Sequence, residues 1–134
     1  MLGLADIRDF IASIGIAANE NVYMGKLDSK QDKSIGVYQR QNSYQPRMCI
    51  GSASSYERKP ISILVHWNKS ARETEKQAFL LYQKLTETVM PVLMGNTMVF
   101  YIDMLNVEPV DVGTDDNGVY ERVIEFDLYY RKEG

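Results

Sequence analysis

The clearest ordering of apolar and polar positions lies between Lys59 and Val89, where a strand-like pattern runs straight into a helix-like one. Ile61, Ile63, Val65 and Trp67 fall on one side of a pleat, with Ser62, Leu64, His66 and Asn68 on the other. That period of two predicts a half-buried strand. Pro60 lacks an N–H, so it is expected at the first position of this strand or on a sheet edge. Ser70 is placed to cap a helix, with Glu73 three residues later reaching back as a reciprocal capping box. Ala71, Ala78, Leu81, Tyr82, Leu85 and Val89 then form one apolar stripe, which predicts a helix lying on a sheet. Pro91 is expected to close it, because the residue before a proline is pushed out of helical geometry.

The same reading extends along the chain. Leu4, Ile7, Phe10, Ile11 and Ile14 predict a short amphipathic helix ending at Gly15. Val22-Tyr23-Met24 and Ser34 to Tyr38 read as two short strands, the second weakened by Gly36. Thr97 to Leu105 is apolar on both sides and is expected inside a sheet. Asn106 to Val112 is extended and leads to a turn whose Asn117-Gly118 pair is a hairpin signal. From Val119 the chain alternates to its end. Tyr120, Arg122, Ile124, Phe126, Leu128 and Tyr130 share one face, and Glu121, Val123, Glu125, Asp127 and Tyr129 share the other. Residues 1–134 are therefore expected to form a single α+β domain, a mostly antiparallel sheet of about four to six strands with two main helices packed on one face.

One segment resists this patterning. Gln39 to Arg58 is nearly free of apolar residues apart from Met48-Cys49-Ile50, and reads as a long polar loop or a weak hairpin. Tyr38, Tyr44, Tyr56, Arg40, Arg47 and Arg58 are spaced along it and its borders. Tyr and Arg are enriched at protein interfaces and also stack on bases, so an assembly contact, a solvated loop and a nucleic-acid contact all stay open here. Composition narrows the choice. Fifteen Lys and Arg against eighteen Asp and Glu give a net charge of −3, which disfavours a chain whose main task is gripping nucleic acid.

Candidate chemistry changes the picture little. Cys49 is the sole cysteine, so no intrachain disulfide can form, and a small, partly buried hydrophobe is its simplest role. Asp6 and Asp9 interrupt the apolar stretch that an export signal needs, and no apolar run reaches the roughly 20 residues of a membrane span. Cytosolic synthesis and no membrane partner are expected. The acidic turn fails as an EF-hand, because with Gly118 at the sixth loop position the first and last ligands would fall on Gly113 and Ile124. Asp115, Asp116 and Asn117 are better turn formers. His66 is the only histidine and has no ligand-spaced companions, so no metal, cofactor or catalytic residue is expected. Neither phosphate-binding glycine motif nor a nucleophile elbow occurs. The reading from another class is a small-molecule or enzymatic site gathered around His66, Tyr82 and Arg122.

Three runs carry a resemblance: NVYMGKLDSKQDKSIGVY from Asn21, KPISILVHWNKSARETE from Lys59 and EPVDVGTDDNGVYERVIEFDLYY from Glu108. They resemble the small minor capsid protein family of long-tailed phages and prophages of Gram-positive bacteria, which is similar to tail terminator proteins. The resemblance implies an α+β virion subunit at the head-proximal end of the tail. It would form a ring, by implication hexameric, that stops tail-tube polymerisation and offers the head a docking face. Implied partners are further copies of itself, the tail tube protein and a head-completion or connector protein, with DNA passing through without specific binding. Another head-tail joining or neck protein is the nearest alternative. A closed ring needs two different complementary patches on each subunit. The expected pair is Tyr38, Arg40, Tyr44, Arg47, Tyr56 and Arg58 on one side, with Glu108, Asp111, Asp115 and Asp116 on the other.

Overall fold

The computed structural model describes residues 2–41 and 56–131. In chain order the elements are α1 (Leu4–Ile14), β1 (Val22–Met24), β2 (Ser34–Gln39), β3 (Tyr56–His66), α2 (Ala71–Thr86), β4 (Val92–Met94), β5 (Thr97–Met104), β6 (Val110–Thr114) and β7 (Tyr120–Arg131). They build one sheet of seven strands in the order β1-β2-β3-β7-β5-β4, with β6 also on β7. β1 runs parallel to β2 and every other pairing is antiparallel, so the sheet is mixed and larger than the pattern predicts.

β7 is the spine. Eleven of its twelve residues, Glu121 to Arg131, pair with β3 on one side. On the other side β5 takes Phe126 to Tyr130 and β6 takes Tyr120 to Val123, end to end. One face of this sheet is covered by both helices. Ile35, Val37, Ile61, Ile63, Val65, Ile124, Phe126 and Leu128 form a single buried cluster with Ile7 and Ile11 of α1 and with Ala78, Leu81 and Leu85 of α2. Apolar burial of this kind stabilises a fold by about 25 cal/mol per Å² removed from water, so the cluster is the main source of cohesion.

Several local expectations are replaced. β3 begins at Tyr56 rather than Lys59, which puts Pro60 inside a central strand instead of at its start. The carbonyl of Pro60 accepts the Arg40 N–H at 3.0 Å, so the N–H that proline lacks would also have pointed towards β2. β2 ends at Gln39, opposite Ile61, and the missing donor falls just past its last paired residue. α2 stops at Thr86, and Val89 is 83% exposed rather than part of the stripe. Ser70 does cap α2, accepting the Glu73 N–H at 3.2 Å. The Glu73 carboxylate instead accepts the Trp67 indole N–H at 3.2 Å, which ties the end of β3 to the first turn of the helix. β4 went unpredicted, and most of Gln39 to Arg58 lies outside the described residues; the segment's two ends belong to consecutive antiparallel strands.

α1 crosses the covered face obliquely. At about 1.5 Å per residue its eleven residues span roughly 16 Å. Near its start Asp6 accepts the Gly3 N–H at 3.2 Å and lies against Gly95, beside β4. Further on, Arg8 donates from Nε to the Val22 carbonyl of β1 at 2.8 Å. The helix thus bridges two opposite borders of the sheet. Gly95 has φ of +60°, and a Cβ there would sit 2.5 Å from the Asp6 carboxyl carbon. Gly95→Ala is expected to lower stability by about 1–3 kcal/mol through left-handed strain plus loss of this close approach, measured as a shift in the urea midpoint.

Candidate assembly surface

Among the described residues no helix covers the sheet's second face, and its side chains come from the alternate positions: Tyr38 on β2; Arg58, Pro60, Ser62 and Leu64 on β3; Val123, Glu125, Asp127 and Tyr129 on β7. Periodicity predicts this side to be wet. Asp127 is nonetheless only 3% exposed. Its two oxygens meet two guanidinium groups, Arg40 Nη2 at 2.7 Å and Arg58 Nη1 at 3.4 Å. Arg40 also donates to the carbonyls of Ile61 at 3.1 Å and Phe126 at 3.4 Å, bridging β3 and β7 from the end of β2. A buried carboxylate is tolerated when it is paired and hydrogen-bonded in this way. Tyr38 folds back over Gly36, where a Cβ would lie 2.7 Å from the ring, so this glycine makes room for a tyrosine on the helix-free face.

Towards the β5 end the face becomes aromatic. The register between β5 and β7 shifts between Val99 and Tyr101. Val99 stays in the core, while such a shift lets neighbouring residues share a side. Phe100 meets Tyr56 edge-on at 5.7 Å, Arg131 stacks over Phe100 at 5.6 Å, and Tyr101 meets Tyr129 at 5.8 Å. Much of this corner is uncovered, with Tyr101 56% and Tyr56 41% exposed. The paired residues Leu93 and Met98 on β4 and β5 extend the apolar area. Large exposed apolar patches are a recurring feature of contact sites, which makes this corner the candidate surface.

The other candidate residues are dispersed. Arg40 and Arg58, expected at an interface, meet inside the chain on Asp127, while Tyr56 opens onto the aromatic corner. Tyr44, Arg47 and Cys49 lie outside the described residues. Of the acidic set, Asp111 lies 3.8 Å from Arg122, which also holds Glu75 of α2 at 3.1 Å. Asp115 organises the β6–β7 turn, accepting the N–H groups of Asn117 and Val119 at 2.9 Å each. Loss of water around its carboxylate opposes ionisation, yet those backbone N–H groups and the nearby His66 hold its pKa below the ordinary value. Glu108 and Asp116 are exposed and make no ion pair among the described residues.

His66, Tyr82 and Arg122 do not come together, which corrects the pocket expected around them. His66 is buried on the helix-free side of the sheet, with Nδ1 2.9 Å from Glu121 and 3.8 Å from Asp115. Arg122 is on the opposite, helix-covered side. Tyr82 donates from its hydroxyl to the Asn106 carbonyl at 2.6 Å and lines a shallow groove on the outside of α2, where neither of the other two reaches. Among the described residues no group of three or more His, Cys, Asp or Glu could hold a metal ion, and no helix is long and apolar enough to cross a membrane. The aromatic corner was missed because its signal is positional: it needs the register shift, which no period displays.

On the helix-free face Arg40 and Arg58 are thus tied to Asp127, while the aromatic side chains at the β5 end stay exposed. The chain belongs to the bacteriophage tail terminator protein family, whose model matches residues 2–131. No curated protein sequence matches the chain.

Two outcomes follow from these contacts. Asp127→Ala would leave two half-buried guanidinium groups without their shared carboxylate and is expected to destabilise the fold by about 1–3 kcal/mol, read by urea unfolding. Tyr130, 7% exposed, donates to Glu57 Oε2 at 2.9 Å, and burial together with that carboxylate raises its pKa to about 12. The folded state therefore holds this proton more tightly than the unfolded one. Stability from this group is full below the ordinary tyrosine value of 10.0 and is lost as pH rises through about 12. Tyr130→Phe is expected to flatten that alkaline slope in denaturation curves taken across the range.

Proposed function

We propose that this chain is a tail terminator in the full sense: copies close into a ring, hexameric in our reading, that seats on the head-proximal end of the tail tube, stops its growth and presents the docking surface for the head-completion or connector protein. The single observation carrying the reading is the family match over nearly the whole chain. The surface supports it: a helix-free sheet face with a stiff Arg40–Asp127–Arg58 support beneath and an exposed aromatic corner beside it is suited to a flat protein contact. We assign Tyr56, Tyr101 and Tyr129 with Leu93 and Met98 to the tail-tube contact. Glu108, Asp111, Asp115 and Asp116 remain our candidates for a subunit contact. The net charge of −3 lets DNA pass without being held, since carboxylates and phosphates repel and no counterion release rewards binding.

The test is electron microscopy of tail tubes polymerised with and without the protein. Density at one end and a fixed tube length are the expected result, with Tyr101→Asp abolishing end binding while the far-ultraviolet circular dichroism stays unchanged. Tubes that keep growing with the wild-type protein present would exclude the reading.

A further inference from the structure

The strand register defines a border relation that strand order alone hides. Val22 on β1 pairs with Ile35 on β2, Ile35 with Val65 on β3, Val65 with Arg122 on β7, and Arg122 with Asp111 on β6. Tyr23, Gly36, Leu64, Val123 and Val110 make the next row in the same order. In this half of the molecule the sheet is therefore five strands across, and its two free borders are β1 and β6. At about 4.8 Å per strand they stand roughly 19 Å apart along the sheet. Among the described residues β1 pairs only with β2, and β6 only with β7.

The two borders differ in kind. All five residues of β6 are exposed, Val112 by 48%. The stretch from Glu108 to Asp116 holds Glu108, Asp111, Asp115 and Asp116 without a cation. On β1 the Gly25 N–H bonds to Val37 of β2 and the Val22 carbonyl is taken by Arg8, which leaves the backbone of Met24 facing outwards. Met24 is 57% exposed, and Lys26, Lys30 and Lys33 follow it against Asp28 and Asp32. One border is acidic and the other mildly basic, with an exposed apolar side chain at the centre of β6 (Val112) and at the end of β1 (Met24).

We propose that the β6 border of one copy docks against the β1 border of the next copy, setting Val112 beside Met24 and the Glu108 carboxylate beside Lys26. Opposite and unlike borders give a head-to-tail contact, which makes a ring when the rotation between copies closes and a filament when it does not, whereas one self-complementary patch would give a two-fold dimer. Unpaired strand edges are ready-made templates for another chain. The inference rests on the ring reading above and names the elements that close it. It also assigns the acidic border a partner other than Arg40 and Arg58, whose charges already meet Asp127.

Disulfide trapping tests it. In a Cys49→Ser background, Met24→Cys combined with Val112→Cys is oxidised and run on a non-reducing gel, at high protein concentration and again on tail tubes. The expected result is a ladder of covalent multimers beyond the dimer, with either cysteine alone stopping at dimers. Lys26→Glu is expected to reduce ladder yield roughly fivefold, the weight of one exposed ion pair, and Glu108→Lys in the same chain to restore it. A ring in native mass measurement or on tubes with no ladder would overturn the edge assignment and leave the ring reading standing. Neither ring nor ladder under any of these conditions would overturn both.

Discussion

Everything in this molecule is hung on β7 being held from both sides at once. A strand of twelve residues with β3 along one edge and β5 and β6 sharing the other fixes the register of every remaining strand. A slip of one residue would turn Ile124, Phe126 and Leu128 away from the helices and drive Glu125 and Asp127 into the core. The apolar half of the alternation makes that slip costly, and the polar half is anchored as well. Asp127 is gripped by arginines from two other strand segments, so the helix-free face is pinned by charge where the opposite face is pinned by packing. Its stiffness follows from that double constraint.

How far the sequence discloses this can be argued residue by residue. α1, α2 and β7 are visible because each pairs a regular period with one dry side, β2 and β5 are visible as short runs rich in apolar residues, and the β6–β7 turn is visible through Asn117-Gly118, with Gly118 at φ of +81°. The start of β3 is not visible, because Glu57, Arg58 and Lys59 look like loop residues. Their polar ends are met across the sheet or by a neighbour: Glu57 by the Tyr130 hydroxyl, Arg58 by Asp127 and the Lys59 ammonium by the Leu2 carbonyl at 2.8 Å. Burial pushes the Lys59 pKa below the ordinary lysine value, and Asp6 partly offsets this. Nothing local announces partners so distant in the chain. β4 is three residues long and too short for any period to show.

The surface is less legible than the fold, for a related reason. A list of exposed-looking Tyr and Arg residues treats every charge as available, whereas Arg40 and Arg58 are consumed by a single carboxylate that alternation assigns to solvent. The aromatic corner depends on a register irregularity at one point of β5, and such irregularities leave no mark in residue type. Function by surface contact is therefore read from which groups remain unspent after the fold has used its own. That residue is small here: an aromatic corner, two unlike sheet borders and a groove along the outside of α2.

The oblique course of α1 has a bearing on how the chain comes to be folded. As synthesis proceeds, the first helix emerges before any strand, yet one end of its seat is built from Met94 and Gly95, and Lys59 holds the Leu2 carbonyl. It can rest on β1 and β2 early, but its N-terminal turn lacks part of its seat until the chain through Gly95 has left the ribosome. This helix is thus made before the residues that complete its seat, and such long-range closure slows folding relative to a chain whose contacts are local.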